Sequence, residues 1–169
     1  MEKIKRLTEK EVLGSFEFSV VSLVRNGWTY KRINEKLNDD QRRYSESVGW
    51  GWNQKDYKEY RVKELYERAL GKLERYRLLF KKIEDGIDIS KIFLEDLFNI
   101  WGSEYHIGIK KIDSLTAAGL ITVGDLLEFI DLWVKKDGIS HGRKKMKWVS
   151  RKTFVNLKKI LANVYSEED

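Results

Sequence analysis

Two cations and two hydroxyls open the last amphipathic segment of this 169-residue chain, at Ser150-Arg151-Lys152-Thr153. A helix opening carries amide N–H groups with no intrahelical partner and a partial positive charge. Arg151 and Lys152 add full charges at the same place, so the opening suits an anion, and a phosphate above all. Lys110 and Lys111 stand in the same way at the start of an earlier helical segment. Arg143, Lys144, Lys145 and Lys147 precede Ser150 as an arm that reaches along the same contact, into a minor groove for instance. From Lys135 to Lys159 there are ten cations, and Asp137 is the only acid between them. Mixed surfaces intersperse the two signs, so such a run points to a polyanionic partner; the bland alternative is a solvated face that aids solubility. The chemistry implied is charge pairing with a nucleic-acid backbone, without bond making or breaking.

Bond-making chemistry has no comparable constellation. The two histidines, His106 and His141, have no ligand at helical spacing, and cysteine is absent, so no metal site is expected. Glu84/Asp85 and Glu95/Asp96 fall where helices end or begin and serve those termini. No Gly-rich phosphate loop or Ser/His/Asp grouping occurs. The expectation is a protein that is not an enzyme and uses no cofactor. A net charge of +6 and a pI near 9.3 agree with an acidic partner but decide little alone. No apolar run approaches membrane-spanning length, and no apolar stretch follows the charged opening residues, so neither a span nor a signal peptide is expected. Together with the absence of cysteine, this makes a cytoplasmic setting the expectation.

The elements that must position these residues read as helices throughout, and the expected class is all-α. Thr8 and Glu11 have capping-box spacing before Val12, Phe16, Val20, Leu23 and Val24. Asn26-Gly27 supplies a turn, and Thr29 caps a short second helix that Asn38-Asp39-Asp40 ends. Trp50 and Trp52, set among glycines, either anchor a tight loop in the core or form an exposed binding loop. A long helix runs from about Tyr57 to Ile83, with Val62, Tyr66, Ala69, Leu73, Tyr76, Phe80 and Ile83 as its apolar seam. That seam is a core stripe or, alternatively, a homodimer contact through residues 57–83. Glu84–Asp88 breaks it. Ser90 caps a helix through Leu94, Leu97, Phe98 and Trp101, which Gly102-Ser103 stops. Gly119 takes the position after a helix end, Thr122 and Asp125 form a second capping box, and Leu126, Ile130 and Trp133 make the stripe behind it. Lys135–Trp148 reads as a mobile basic loop. Ser150 caps the final helix, whose apolar face is Phe154, Leu157, Leu161 and Val164.

Residues from about 107 to 162 resemble the C-terminal domain of the RNA polymerase alpha subunit, a DNA-binding fold of the helix-hairpin-helix type. The stretches that carry the resemblance are Leu115-x-Ala-Ala-Gly-Leu-Ile-Thr-Val-Gly-Asp-Leu126 and Ser150-Arg-Lys-Thr-Phe-Val-Asn-Leu-Lys-Lys-Ile-Leu161. The resemblance implies that Lys110 stands at the family's key basic position, and that Arg151, Lys152 and Thr153 stand for its last phosphate-contacting turn. Three departures are visible. Asp113 replaces a DNA-contacting asparagine, Ser150 replaces a turn glycine, and the Lys135–Trp148 connection is longer. The segment Leu23–Leu37, with Val62-Lys63, Arg68-Ala69 and Lys72-Leu73, is similar to a helix-turn-helix of the sigma-factor region 4 type. Its long connection departs from that pattern. This second resemblance implies DNA contacts at Lys55, Lys58, Arg61 and Lys63.

The expected organisation is an N-terminal helical domain over 1–86 and a DNA-binding domain over 87–169. The expected function is duplex DNA binding in transcription, as a regulator or accessory factor. A module that docks on RNA polymerase or another protein is the first alternative. A nucleic-acid enzyme and a binder of single strands are the others.

Overall fold

The computed structural model describes residues 6–49, 56, 58–135 and 149–164. Every regular element among them is helical, and the one β contact is an isolated antiparallel bridge between Phe93 and Thr122. The elements are α1 (Glu9–Arg25), α2 (Tyr30–Ser47), α3 (Glu59–Glu84), a 3-10 turn at Ile89–Lys91, α4 (Leu94–Trp101), α5 (Ile109–Ala117), α6 (Val123–Lys135) and α7 (Arg151–Ala162). No described helix is long and apolar enough to cross a membrane.

Backbone contacts divide the chain into two compact units. One is Thr8–Glu74; the other joins Arg6 and Leu7 to the described residues from Arg75 onward. The division falls inside α3, while the helix itself ends at the Glu84–Asp88 break, where Gly86 takes a φ of 89°.

In the Thr8–Glu74 unit, α1 starts at the capping box read from Thr8 and Glu11. The Thr8 hydroxyl accepts from the Glu11 amide, and the Glu11 carboxylate accepts from the Thr8 amide at 2.8 Å. Gly14, at φ 75° and ψ 167°, breaks the helix internally, a conformation that only glycine adopts without strain. Val20, Ile33 and Val62, one from each helix, are fully buried and form the core, with Leu23, Val24, Trp28, Leu37 and Tyr66 packed around them. Thr29 caps α2 as expected, accepting from the Arg32 amide. The end expected at Asn38-Asp39-Asp40 is wrong. The helix runs on to Ser47 because Asn38 is buried against the unit and Asp40 pairs with Lys36 one turn earlier at 2.8 Å. Trp50 and Trp52 lie outside the described residues.

The seam expected on α3 is buried at Val62, Ala69, Leu73 and Ile83, and half-buried at Tyr66, Tyr76 and Phe80. Lys72 is also buried, which apolar patterning does not anticipate. Its ammonium reaches Glu17 of α1 at 3.4 Å, and Arg68 meets the same carboxylate at 3.2 Å.

The second unit is built around Trp101, Leu97, Leu94, Leu115, Leu126, Leu157 and Ile160, all almost wholly buried. Tyr76 lies edge-on to Trp101 with ring centroids 6.1 Å apart, and its hydroxyl accepts from the Leu7 amide at 2.7 Å. The cap expected at Ser90 is corrected: Asp88 caps the 3-10 turn by accepting from the Ser90 amide at 3.0 Å, and α4 begins later, at Leu94. The bridge pairs the Leu94 amide with the Ile121 carbonyl and the Val123 amide with the Ile92 carbonyl, both at 2.9 Å. It seats the 3-10 turn on the start of α6. Gly124 allows this closeness, since a Cβ there would stand 3.0 Å from the Ser90 carbonyl oxygen.

Candidate nucleic-acid interface

The α5 opening is made by the chain leaving α4. Gly102 ends α4 in so tight a turn that its amide donates to the Phe98 carbonyl while the Ile107 amide donates to the Gly102 carbonyl, each at 2.7 Å. Gly108 then stands as the N-cap of α5, and no side chain caps this helix. Lys110 and Lys111 occupy its first turn and are exposed. The Lys111 ammonium donates to the His106 carbonyl at 3.0 Å and so steadies the approach. At the far end, Gly119 takes the left-handed conformation (φ 86°) expected of it, and the Leu120 amide closes on the Leu115 carbonyl.

The chain enters α6 through the second capping box. Thr122 Oγ1 accepts from the Asp125 amide at 3.2 Å, and Asp125 Oδ2 accepts from the Thr122 amide at 2.7 Å and the Ile121 amide at 3.1 Å. The Thr122 amide, then the Thr122 hydroxyl and the Ile121 amide, hold the Asp125 carboxyl below its ordinary range. Leu126 of the expected stripe is fully buried and Ile130 half-buried, whereas the side chain of Trp133 lies outside the described residues. Phe129 joins the stripe, edge-on to Phe154 of α7 with ring centroids 6.2 Å apart.

Ser150 caps α7 as its sequence implies, accepting from the Thr153 amide at 3.1 Å. Arg151 and Lys152 are exposed in the first turn. Thr153 differs from the expectation. It is buried, and its hydroxyl shares a 3.0 Å hydrogen bond with that of Ser150, so it completes the cap and is not presented to solvent. The expected apolar face is buried at Phe154, Leu157, Leu161 and Val164, with Ile160 added.

One contact ties α7 to the chain just before α5. Asn156 of α7 donates its amide to the Tyr105 carbonyl at 2.8 Å, three residues before Gly108. Asn156 lies five residues from Arg151, about 7.5 Å along a helix. The pairs Lys110/Lys111 and Arg151/Lys152 each lie four to six residues along the chain from this contact. An Asn at this position carries no functional signal in sequence alone, and its role was not legible there. Arg143, Lys144, Lys145 and Lys147 lie outside the described residues, as does His141. Among the described residues, no group of acids and histidines is arranged to hold a metal ion.

The cations nominated in the N-terminal half stand differently. Lys55 is outside the described residues. Lys58 is exposed just before α3. Arg61 pairs with Glu64 at 3.4 Å and Lys63 with Glu67 at 3.7 Å, so this face of α3 alternates in sign. Arg68 and Lys72 are committed to Glu17 within the unit.

The helix openings differ in the charge they carry. Glu9 and Glu11 open α1, Glu59 opens α3, Glu95 and Asp96 open α4, and Asp125 opens α6, as the helix dipole favours. The first turns of α2, α5 and α7 hold no acid at all. Comparison of the chain with protein-family models, with curated proteins and with solved structures yields no match.

Proposed function

We propose that this protein binds duplex DNA without covalent chemistry, gripping the phosphate backbone through the openings of α5 and α7, and that it acts as a transcription regulator or accessory factor. The observation that carries this reading is that two of the three openings without an acid, those of α5 and α7, fall in one unit. Lys110, Lys111, Arg151 and Lys152 place four cations where the helix dipole is already positive, a local cost of about 0.3–1 kcal/mol per charge at an exposed helix end. A phosphate reverses the sign of that cost, because it meets the amide donors and the side-chain cations together. The Tyr105–Asn156 contact supports a single ligand for both pairs. Ser150, and beyond the described residues Arg143, Lys144, Lys145 and Lys147, extend the proposed contact; Thr153 supports it from within the cap. Asp113, exposed on α5, opposes phosphate and narrows where the backbone passes.

Docking on RNA polymerase or another protein is the second reading. Phe93 and Ile121, brought close by the bridge and both about half exposed, support it as an apolar contact. The test is fluorescence anisotropy of a labelled mixed-sequence duplex titrated with the whole chain at 50 and 200 mM salt. Salt-sensitive binding is expected. Absence of binding at the lower salt, with polymerase subunits retained from nuclease-treated lysate, would replace the first reading by the second.

A further inference from the structure

The Thr8–Glu74 unit has an arginine held in an unusual way. Arg25 pairs with Glu9, Arg42 with Asp56, Arg61 with Glu64 and Arg68 with Glu17. Arg43, like Arg32, has no such partner among the described residues; what distinguishes Arg32 is where it lies. Its guanidinium instead lies over the ring of Trp28, 3.7 Å from the centroid. Trp28 is itself packed against the core of Val20, Ile33 and Val62. The layers run from core to indole to guanidinium to solvent. Stacking fixes the plane of a guanidinium and leaves its N–H donors in that plane, where a planar fork matches two oxygens of one phosphate. A salt-bridged arginine must release its carboxylate first; Arg32 does not. Lys31, exposed next to it, adds a second cation.

We infer that Arg32, oriented by Trp28, is a nucleic-acid phosphate contact of the Thr8–Glu74 unit, separate from the α5 and α7 openings. The inference rests on the nucleic-acid reading above and adds to it that the N-terminal unit binds too, at a place other than Lys55, Lys58, Arg61 and Lys63. Trp28 is a positioning residue: it holds the guanidinium plane and need not touch the ligand.

The test uses the whole chain, a labelled duplex and a salt series. Arg32→Ala should lower the slope of log affinity against log salt by about 0.9, the share of one phosphate on duplex DNA. Referred to 1 M salt, that slope means an affinity loss of about fifteenfold at 50 mM and about fourfold at 200 mM. Arg32→Lys keeps the charge and should keep the slope while losing affinity, since an ammonium cannot form the fork. Trp28→Phe should retain most of the binding. Trp28→Leu should behave like Arg32→Lys, with circular dichroism checking that the unit remains folded. If Arg32→Ala leaves the slope unchanged while Arg151→Ala/Lys152→Ala lowers it, the inference fails and the α7 reading stands. If the unaltered chain binds no duplex at 50 mM salt, both fail.

Discussion

Replacing Arg151 and Lys152 together by alanine should move binding and stability in opposite directions. Both side chains are exposed in the first turn of α7, and no described acid shares that turn. If each neutralises one phosphate, the double variant loses about 1.8 from the slope of log affinity against log salt. Extrapolated from a common value at 1 M salt, affinity should fall about 200-fold at 50 mM and about 20-fold at 200 mM. The same change removes two cations from the positive end of a helix dipole, which should raise stability by about half a kcal/mol or more. The cap itself, Ser150 with Thr153, is untouched. The assay is anisotropy over a salt series beside urea unfolding of the same preparations. Arg151→Lys/Lys152→Arg should keep the slope, and Lys81→Ala, an exposed cation in the last turn of α3, should leave the slope unchanged. An unaltered slope in the double variant, or a loss of stability alongside the loss of binding, would refute the reasoning. The first result would mean that no phosphate sits there; the second, that the cations serve the fold.

Three further outcomes concern the scaffold. Gly102→Ala should destabilise the C-terminal unit by about 1–3 kcal/mol or more, because its Cβ would stand 2.4 Å from the Phe98 carbonyl oxygen and 2.9 Å from that of Ile107; thermal unfolding reads this directly. Asp125→Ala should cost about 1 kcal/mol through loss of the box with Thr122. Because the folded carboxyl lies below its ordinary value, its stabilisation is complete above the unfolded value near pH 4 and lost as pH falls through the lower folded value; the gap between the variant and the unaltered chain should therefore close in acid. Leu157→Ala, at a fully buried site on α7, should cost about 2–5 kcal/mol in denaturant unfolding, and a loss under 1 kcal/mol would contradict the packing described.

Local chemistry was legible wherever a residue acts on its near neighbours. The boxes Thr8–Glu11 and Thr122–Asp125, the caps Thr29 and Ser150, and the left-handed Gly119 all stand where three- and four-residue spacing placed them. Such contacts form within a single turn, so the chain order itself sets their geometry. The all-helical class follows from the same periodicity. Reading one residue at a time failed where several contacts, near and distant, compete for the same position. Asn38-Asp39-Asp40 favours a helix end in isolation, yet burial of Asn38 and pairing of Asp40 carry α2 seven residues further. Ser90 has the side chain of a cap, but Asp88 reaches its amide first and the bridge to Ile121 delays α4.

The candidate interface divides along the same line. That Lys110, Lys111, Arg151 and Lys152 sit at helix openings was written in the sequence, because charge and cap lie within four residues of each other. That α7 meets the approach to α5 depends on Asn156 reaching Tyr105, 51 positions away, and that Thr153 turns inward depends on the core it joins. The freedom of Arg32 was equally hidden: its spacing from Trp28 permits stacking, but only the packed unit shows which arginines the carboxylates have already claimed. Sequence by itself determined the helical class, most of the caps and the charges at the helix ends, since those are contacts of short range. Tertiary structure decided which charges pair internally and which remain for a partner, since that allocation depends on distances between residues far apart in the chain.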